Sequence, residues 1–99
     1  MKDMKPEIIA TIYFYKIEEG GRKGATPKDW FGCPFLFKGR SYDCRLFFYG
    51  KQPIKPGDRL KVFIQFLCPD LILNKLKVGD KFELWDGRII AEGKVEEIL

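Results

Sequence analysis

Hydrophobic and polar residues alternate with a period of two along most of this chain, a pattern typical of β-strands that are buried on one face. The alternation is clearest in residues 59–67 and 88–98. Residues 7–16 are apolar on both faces, which favours a central or doubly covered strand. Residues 34–38 and 44–49 are shorter strand candidates, and no segment shows sustained helical spacing. The pattern therefore predicts an all-β protein.

Turn residues separate the strand candidates and predict how two of them pair. An Asp-Gly pair at 86–87 lies between two alternating segments, which is the strongest short-range signal for a β-hairpin. A two-residue loop there places Trp85 opposite Arg88, so that a cation lies beside an indole. The same register places Lys81 opposite Glu92, a favourable cross-strand pair. The predicted register is thus consistent on both faces.

Two further segments, "KPGDRLKV" at 55–62 and "KVGDKFEL" at 77–84, share a Gly-Asp turn before a strand. We interpret them as one turn chemistry used twice, not as a repeat. About six short strands with such turns predict a small antiparallel barrel or sandwich. We expect a single domain over residues 1–99, with a flexible N-terminus at 1–6. The carboxylates expected at turns are Asp43, Asp58, Asp80 and Asp86.

Charge is unevenly distributed along the chain, although the net charge is only +4. Residues 20–61 contain ten Lys or Arg and three Asp or Glu, a net charge of +7. The rest of the chain contains eight Lys or Arg and eleven Asp or Glu, a net charge of −3. The asymmetry fits a basic face that attracts an anionic partner, and equally an uneven solvated surface without a ligand.

Residue types that carry most catalytic and metal chemistry are missing or scattered. The chain has no His, and its three cysteines, Cys33, Cys44 and Cys68, form no C-x-x-C motif. This argues against a zinc site and a disulfide framework, and we expect buried, reduced thiols in a cytoplasmic protein. No phosphate-binding loop motif occurs. We therefore predict no catalysis, no metal or other cofactor, no nucleotide binding and no membrane contact.

Three segments in order resemble the C-terminal, third domain of translation elongation factor Tu: "EEGGRKGATP" (18–27), "KPGDRLKV" (55–62) and "KFELWDGRIIAEGKV" (81–95). That family has an acid-Gly-Gly-Arg segment followed by Thr-Pro, then a Pro-Gly-Asp turn and a closing hairpin with an acid-Gly-Arg turn. The likeness covers about residues 8–98. It implies a stand-alone six-stranded antiparallel β-barrel without the GTPase domain of the full factor.

In that family the third barrel contacts the backbone of the tRNA T stem and also packs on protein partners. The corresponding positions here are Arg22, Lys23, Asp86, Gly87 and Arg88. Gly20 and Gly21 would let the backbone approach a partner or adopt positive φ. The alternative is a flexible crossover whose glycines only turn the chain. The loop after Arg22 is longer here than in the family, and the hairpin turn has one glycine fewer.

Two functions remain open from the sequence. The first is a non-catalytic module that binds tRNA-like structured RNA through phosphate contacts. Its candidate contacts are Arg22, Lys23, Lys38, Arg40, Arg45 and Arg88. The second is a barrel that docks a translation factor, a toxin or another protein through an exposed apolar patch, with weak salt dependence. The candidate patch residues are Trp30, Phe31, Phe35 and Phe47.

Overall fold

Six antiparallel strands close into a barrel, in the order β1-β4-β3-β2-β5-β6, in the computed structural model of the chain. The structure describes residues 5–27, 29–48 and 53–99. The strands are β1 (Ile8–Phe14), β2 (Trp30–Phe37), β3 (Arg40–Phe47), β4 (Arg59–Phe66), β5 (Lys81–Trp85) and β6 (Ile89–Ile98). Short 3₁₀ turns follow β1 at Ile17–Glu19 and precede β5 at Pro69–Leu71 and Leu73–Lys75. The prediction of a small six-stranded antiparallel barrel is confirmed.

The core is made by the alternate residues of each strand that point into the barrel. Phe35 lies at its centre and is fully buried, with its ring stacked 4.1 Å from Phe82 and edge-on to Phe66 at 4.9 Å. Gly93 lies opposite Phe82 and leaves room for its ring, because a Cβ there would come within 2.4 Å of the ring. Aromatic side chains bury a large apolar area each, so these rings contribute strongly to the hydrophobic stabilisation of a small domain.

Two strands are longer than the sequence pattern predicted. β2 begins at Trp30, not at 34, and β3 begins at Arg40, not at 44. Gly32 and Pro34 obscured the alternation in β2, and the first half of β3 is polar because it forms a hairpin arm that is largely exposed. The predicted end of β3 at residue 49 and most of the predicted flexible N-terminus lie outside the described residues.

The hairpin between β5 and β6 was predicted with the wrong register. Trp85 pairs with Ile89, so the loop has three residues, with a bulge between Leu84 and Trp85. Gly87 adopts a left-handed φ of 76°, as a three-residue hairpin loop requires. The shift moves the pairing by two residues, so the buried face is unchanged while Lys81 lies opposite Lys94. The predicted pairs of Trp85 with Arg88 and of Lys81 with Glu92 are therefore not formed as direct neighbours.

The two Gly-Asp turns have the same geometry, as the sequence predicted. Asp58 accepts a hydrogen bond from the Lys55 N–H at 2.8 Å, and Asp80 accepts one from the Lys77 N–H at 2.9 Å. The glycines before these aspartates have φ values of 93° and 95°. Asp43, in contrast, lies within β3 opposite Pro34 and not in a turn.

The cysteines divide into a buried pair and an exposed single residue. Cys33 and Cys44 are buried directly opposite each other on β2 and β3, and the Cys44 thiol donates to the Cys33 carbonyl at 3.3 Å. The hydrogen bond with Cys33 and burial raise the pKa of the Cys44 thiol, which keeps it protonated and unreactive. Cys68 is exposed, so the expectation that all three thiols are buried was wrong for this residue.

Candidate functional site

The two loops that the sequence marked as contact loops lie side by side at one end of the barrel. Arg22 donates from Nε to Asp86 Oδ2 at 3.2 Å, across 64 residues of sequence. A second guanidinium nitrogen donates to the Ala25 carbonyl at 3.0 Å, and the guanidinium carbon lies 4.8 Å from the centre of the Phe31 ring. Arg22 thus fastens residues 20–27 to the β5–β6 turn. We name residues 20–27 and 86–88 together the loop pair.

Gly20 and Gly21 are required by the backbone conformation of the first loop. Gly20 follows the 3₁₀ turn Ile17–Glu19 with φ at 97°, which is the left-handed region that favours glycine. Gly21 is buried, and a Cβ on it would lie 2.0 Å from the Tyr15 carbonyl oxygen. Gly21 therefore allows the loop to pass close to the backbone of Tyr15, just after β1.

The middle of the first loop is exposed to solvent between two residues that are held by hydrogen bonds, Arg22 and Thr26. Arg22 holds one side, and Thr26 holds the other, since its N–H donates to the Ile54 carbonyl at 2.8 Å and its hydroxyl accepts from the Ile54 N–H at 2.9 Å. Lys23 lies exposed between them, and Arg88 is exposed on the neighbouring turn. Neither cation makes an ion pair within the part of the chain that the structure describes.

Lys38 and Arg40 lie at the opposite end of the barrel from the loop pair. Leu36 pairs with Glu83 in antiparallel strands, so the β2–β3 turn lies beside the start of β5, whereas the loop pair lies beyond its end. Both turn residues, Lys38 and Gly39, have positive φ, at 50° and 79°. The structure therefore does not bring these two cations together with Arg22, Lys23 and Arg88.

Arg45 lies on the outer face of the barrel, in the middle of β3. Its guanidinium carbon is 5.5 Å from the centre of the Trp30 ring, a distance that allows a cation–π contact. This contact fixes the side chain beside Trp30.

The apolar patch expected around Trp30, Phe31, Phe35 and Phe47 is not exposed as a unit. Phe31, Phe35 and Phe47 are 8%, 0% and 1% exposed, whereas Trp30 is 44% exposed. Phe31 and Phe35 point into the core, while Phe47 points outward and is covered in part by the Trp30 ring at 6.5 Å. Periodicity could not separate these cases, because two adjacent aromatic residues always point to opposite faces of a strand.

A different set of apolar residues crosses the outside of the barrel. The strand register places Trp30 opposite Phe47, Phe47 opposite Phe63, and Phe63 opposite Ile9, on four neighbouring strands. We name these four residues the apolar row. Trp30 and Phe63 are 44% and 43% exposed, so the row presents two aromatic side chains to solvent.

The structure also aligns three lysines that the sequence did not mark as contacts, Lys61, Lys81 and Lys94, with Lys38, which it did. Lys61 lies opposite Thr11, Thr11 opposite Lys94, and Lys94 opposite Lys81, on β4, β1, β6 and β5. Lys38 lies past the end of β2 and lines the same groove as Lys81 and Lys94. We name Lys61, Lys94, Lys81 and Lys38 the lysine row. The polar positions were visible in the sequence, but their alignment required the register.

Two tyrosines on the outer face of β1 and just after it bind carboxylates. The Tyr13 hydroxyl donates to Glu19 at 2.6 Å, and the Tyr15 hydroxyl donates to Glu92 at 2.9 Å. The hydrogen bond to Glu19 raises the pKa of Tyr13, and the same bond lowers the pKa of Glu19. The first contact holds the 3₁₀ turn Ile17–Glu19 against β1, and the second holds β6 against the residue that follows β1. Among the described residues, no group of three or more Cys, Asp or Glu side chains could hold a metal ion.

The Tyr15 contact predicts a loss of stability at high pH. Burial, followed by the hydrogen bond to Glu92, raises the pKa of Tyr15 to about 12 from 10.0. The pKa is higher in the folded chain, so the phenol stabilises the fold below pH 10 and this contribution is lost as the pH rises towards 12. We expect the free energy of unfolding, measured with urea, to fall less over this range in Tyr15→Phe. Equal pH dependence in both proteins would contradict this assignment.

Comparisons with protein-family models and with curated proteins find no match for this chain. The similarity to the third domain of elongation factor Tu therefore rests on the sequence motifs and stays a hypothesis. No helix within the described ranges is long and apolar enough to cross a membrane.

Proposed function

We propose that this chain is a non-catalytic module that binds structured, tRNA-like RNA through the loop pair. The observation that supports this most directly is the ion pair between Arg22 and Asp86. It joins the two loops that the resemblance to elongation factor Tu marks as RNA-facing, although they are 64 residues apart in the sequence. Two sequence motifs that resemble the elongation factor thus contribute to one surface, the loop pair.

In this proposal the residues of the loop pair have different roles. Arg22 is a positioning residue, because its guanidinium is already engaged by Asp86, the Ala25 carbonyl and the Phe31 ring. Its charge offsets that of Asp86, which would otherwise repel phosphate. Lys23 and Arg88 are the phosphate contacts, since both are exposed cations without an ion pair in the described part of the chain. Such contacts orient a protein on an RNA helix without reading its sequence.

The test is a titration against bulk tRNA at about 50 and 200 mM salt. We expect binding that weakens with salt in the native protein, and a Lys23→Gln, Arg88→Gln variant whose salt slope is smaller by about 2, since each lost phosphate contact removes about one unit. The matched control is Lys5→Gln with Lys75→Gln, which removes two exposed cations away from the loop pair. Absence of binding by the native protein at the lower salt would refute the proposal.

Protein docking is a second candidate, and the apolar row favours it. Trp30 and Phe63 are exposed aromatic residues on either side of the buried Phe47, and aromatic residues are enriched at protein interfaces. Binding through this row would change little between about 50 and 200 mM salt, unlike phosphate contacts. It would be lost in a Trp30→Ser, Phe63→Ser variant that still binds tRNA as the native protein does.

A further inference from the structure

We propose that the lysine row is a second phosphate-binding surface, which holds one strand of an RNA backbone along the outside of the barrel. This inference rests on the proposed function, because it assigns the same class of ligand to a separate surface. The row comes from the register of four hydrogen-bonded strands, with Lys38 continuing it beyond β2. Neighbouring strands are about 5 Å apart, so Lys61 and Lys94 are separated by about 10 Å and Lys94 and Lys81 by about 5 Å.

The closest pair in the row brings two positive charges together, whereas Glu83 and Glu92 lie two residues away on the same strands. Lys81 and Lys94 lie directly opposite each other, and like charges at such positions destabilise a sheet. Neither ammonium group has an ion pair within the described ranges, and both side chains are exposed. Two facing lysines without a carboxylate partner can each contact an anion, and a bound phosphate would relieve their repulsion.

The surroundings of the row restrict the shape of the anion. Lys38, Lys81 and Lys94 line one groove of about 620 Å³ together with Arg59. Carboxylates also line this groove: Glu83, Glu92 and Glu96. Glu83 and Glu92 face each other two residues along from Lys81 and Lys94, so the positive charge forms a narrow line bordered by negative charge. A line fits the backbone of a linear polyanion, whereas an anionic membrane would meet the carboxylates as well.

The lysine row is better suited to the phosphates of an RNA backbone than to a ligand that must be recognised by contacts of fixed geometry. Lysine binds phosphate as a flexible point charge without fixed geometry. The row contains no aromatic side chain on which a base could stack, so we expect backbone contacts without sequence preference. The row lies at the start of β5 and the loop pair beyond its end, so the two surfaces are about 20 Å apart. RNA that contacts both must extend over that distance.

The experiment compares three double variants of the full chain in the bulk tRNA titration. In Lys81→Gln, Lys94→Gln we expect affinity about tenfold weaker at about 100 mM salt, and a salt slope smaller by about 2. The control Lys5→Gln, Lys75→Gln should keep the native affinity and slope. A native slope in the lysine-row variant, with binding lost in Lys23→Gln, Arg88→Gln, would overturn this inference and leave the proposed function in place.

Other anionic partners are separate outcomes of the same experiment. If the native protein fails to bind tRNA at low salt, both proposals fail. If it binds phosphatidylserine vesicles or polyglutamate more tightly than tRNA, and this binding needs Lys81 and Lys94, the row is an anion site but its assignment to RNA is wrong. Tighter binding to tRNA that needs these two lysines supports the assignment.

A thermal measurement tests the repulsion without any ligand. Lys94→Gln removes the charge opposite Lys81 without adding a carboxylate beside Glu92 and Glu96, so we expect Tm to rise by about 1 to 5 °C while tRNA affinity falls. A gain in stability together with a loss of binding is typical of a residue kept for function. A lower Tm in this variant would contradict the premise that Lys81 and Lys94 repel each other.

Discussion

Replacing Gly21 with alanine should destabilise the protein by about 3 kcal/mol, because the added Cβ collides with backbone. An ideal Cβ at this position lies 2.0 Å from the Tyr15 carbonyl oxygen and 2.7 Å from its carbon. Backbone atoms of β1 and its continuation cannot move aside as the end of a flexible side chain can. We therefore expect the loop to detach from Tyr15, which would also displace Arg22 from Asp86.

The measurement is urea denaturation of the variant beside two matched glycine variants. Gly24→Ala is the control, because a Cβ there meets nothing within 4 Å and the residue is exposed. It should change the free energy of unfolding by about 0.5 kcal/mol or less. Gly20→Ala should cost about 1 kcal/mol, since its φ of 97° is unfavourable for alanine. Equal stability of the Gly21 and Gly24 variants would refute the close packing described here.

Replacing Phe35 with alanine should cost about 3 to 5 kcal/mol of unfolding free energy. Phe35 is fully buried, and its ring contacts those of Phe82 and Phe66 at centroid distances of 4.1 and 4.9 Å. Its removal leaves a cavity beside the rings of Phe66 on β4 and Phe82 on β5, which cannot close it without moving the barrel wall.

Trp30→Ala is the matched comparison for the core variant, because Trp30 is a large aromatic residue that is 44% exposed. We expect it to cost about 1 kcal/mol, from lost contacts with Phe47 and Arg45. Thermal denaturation of both variants separates the two roles. If Phe35→Ala were as stable as Trp30→Ala, the buried position of Phe35 would be wrong. Phe35 would then again be a candidate for the exposed docking patch that the sequence predicted.

The proposed RNA contacts differ from the core in how they respond to substitution. Lys23, Arg88, Lys81 and Lys94 are all exposed, so glutamine at these positions should leave the fold intact. Arg22 is different, because its removal frees Asp86 and uncovers Phe31. A loss of RNA binding in an Arg22 variant could therefore come from displaced loops or from the lost positive charge. The variants at Lys23 and Arg88 remove charge without displacing the loops.

Several features of this protein were determined by local sequence. Alternation with a period of two requires strands, and the Gly-Asp pairs at 57–58 and 79–80 specify their turns, since only glycine adopts the required φ easily and the aspartate accepts a nearby N–H. These interactions involve residues within three positions of each other. The number of strands and the all-β class follow from them, and the structure confirms both.

Other features were decided only by the tertiary structure. The β5–β6 register, the burial of Phe31 beside an exposed Trp30, and the ion pair between Arg22 and Asp86 all depend on contacts between distant segments. A shift of two residues keeps the same side chains in the core, so hydrophobic pattern cannot distinguish the two registers. That same shift places Lys81 opposite Lys94 and creates the lysine row. The sequence determined which residues face outward, and only strand pairing decided which of them are neighbours.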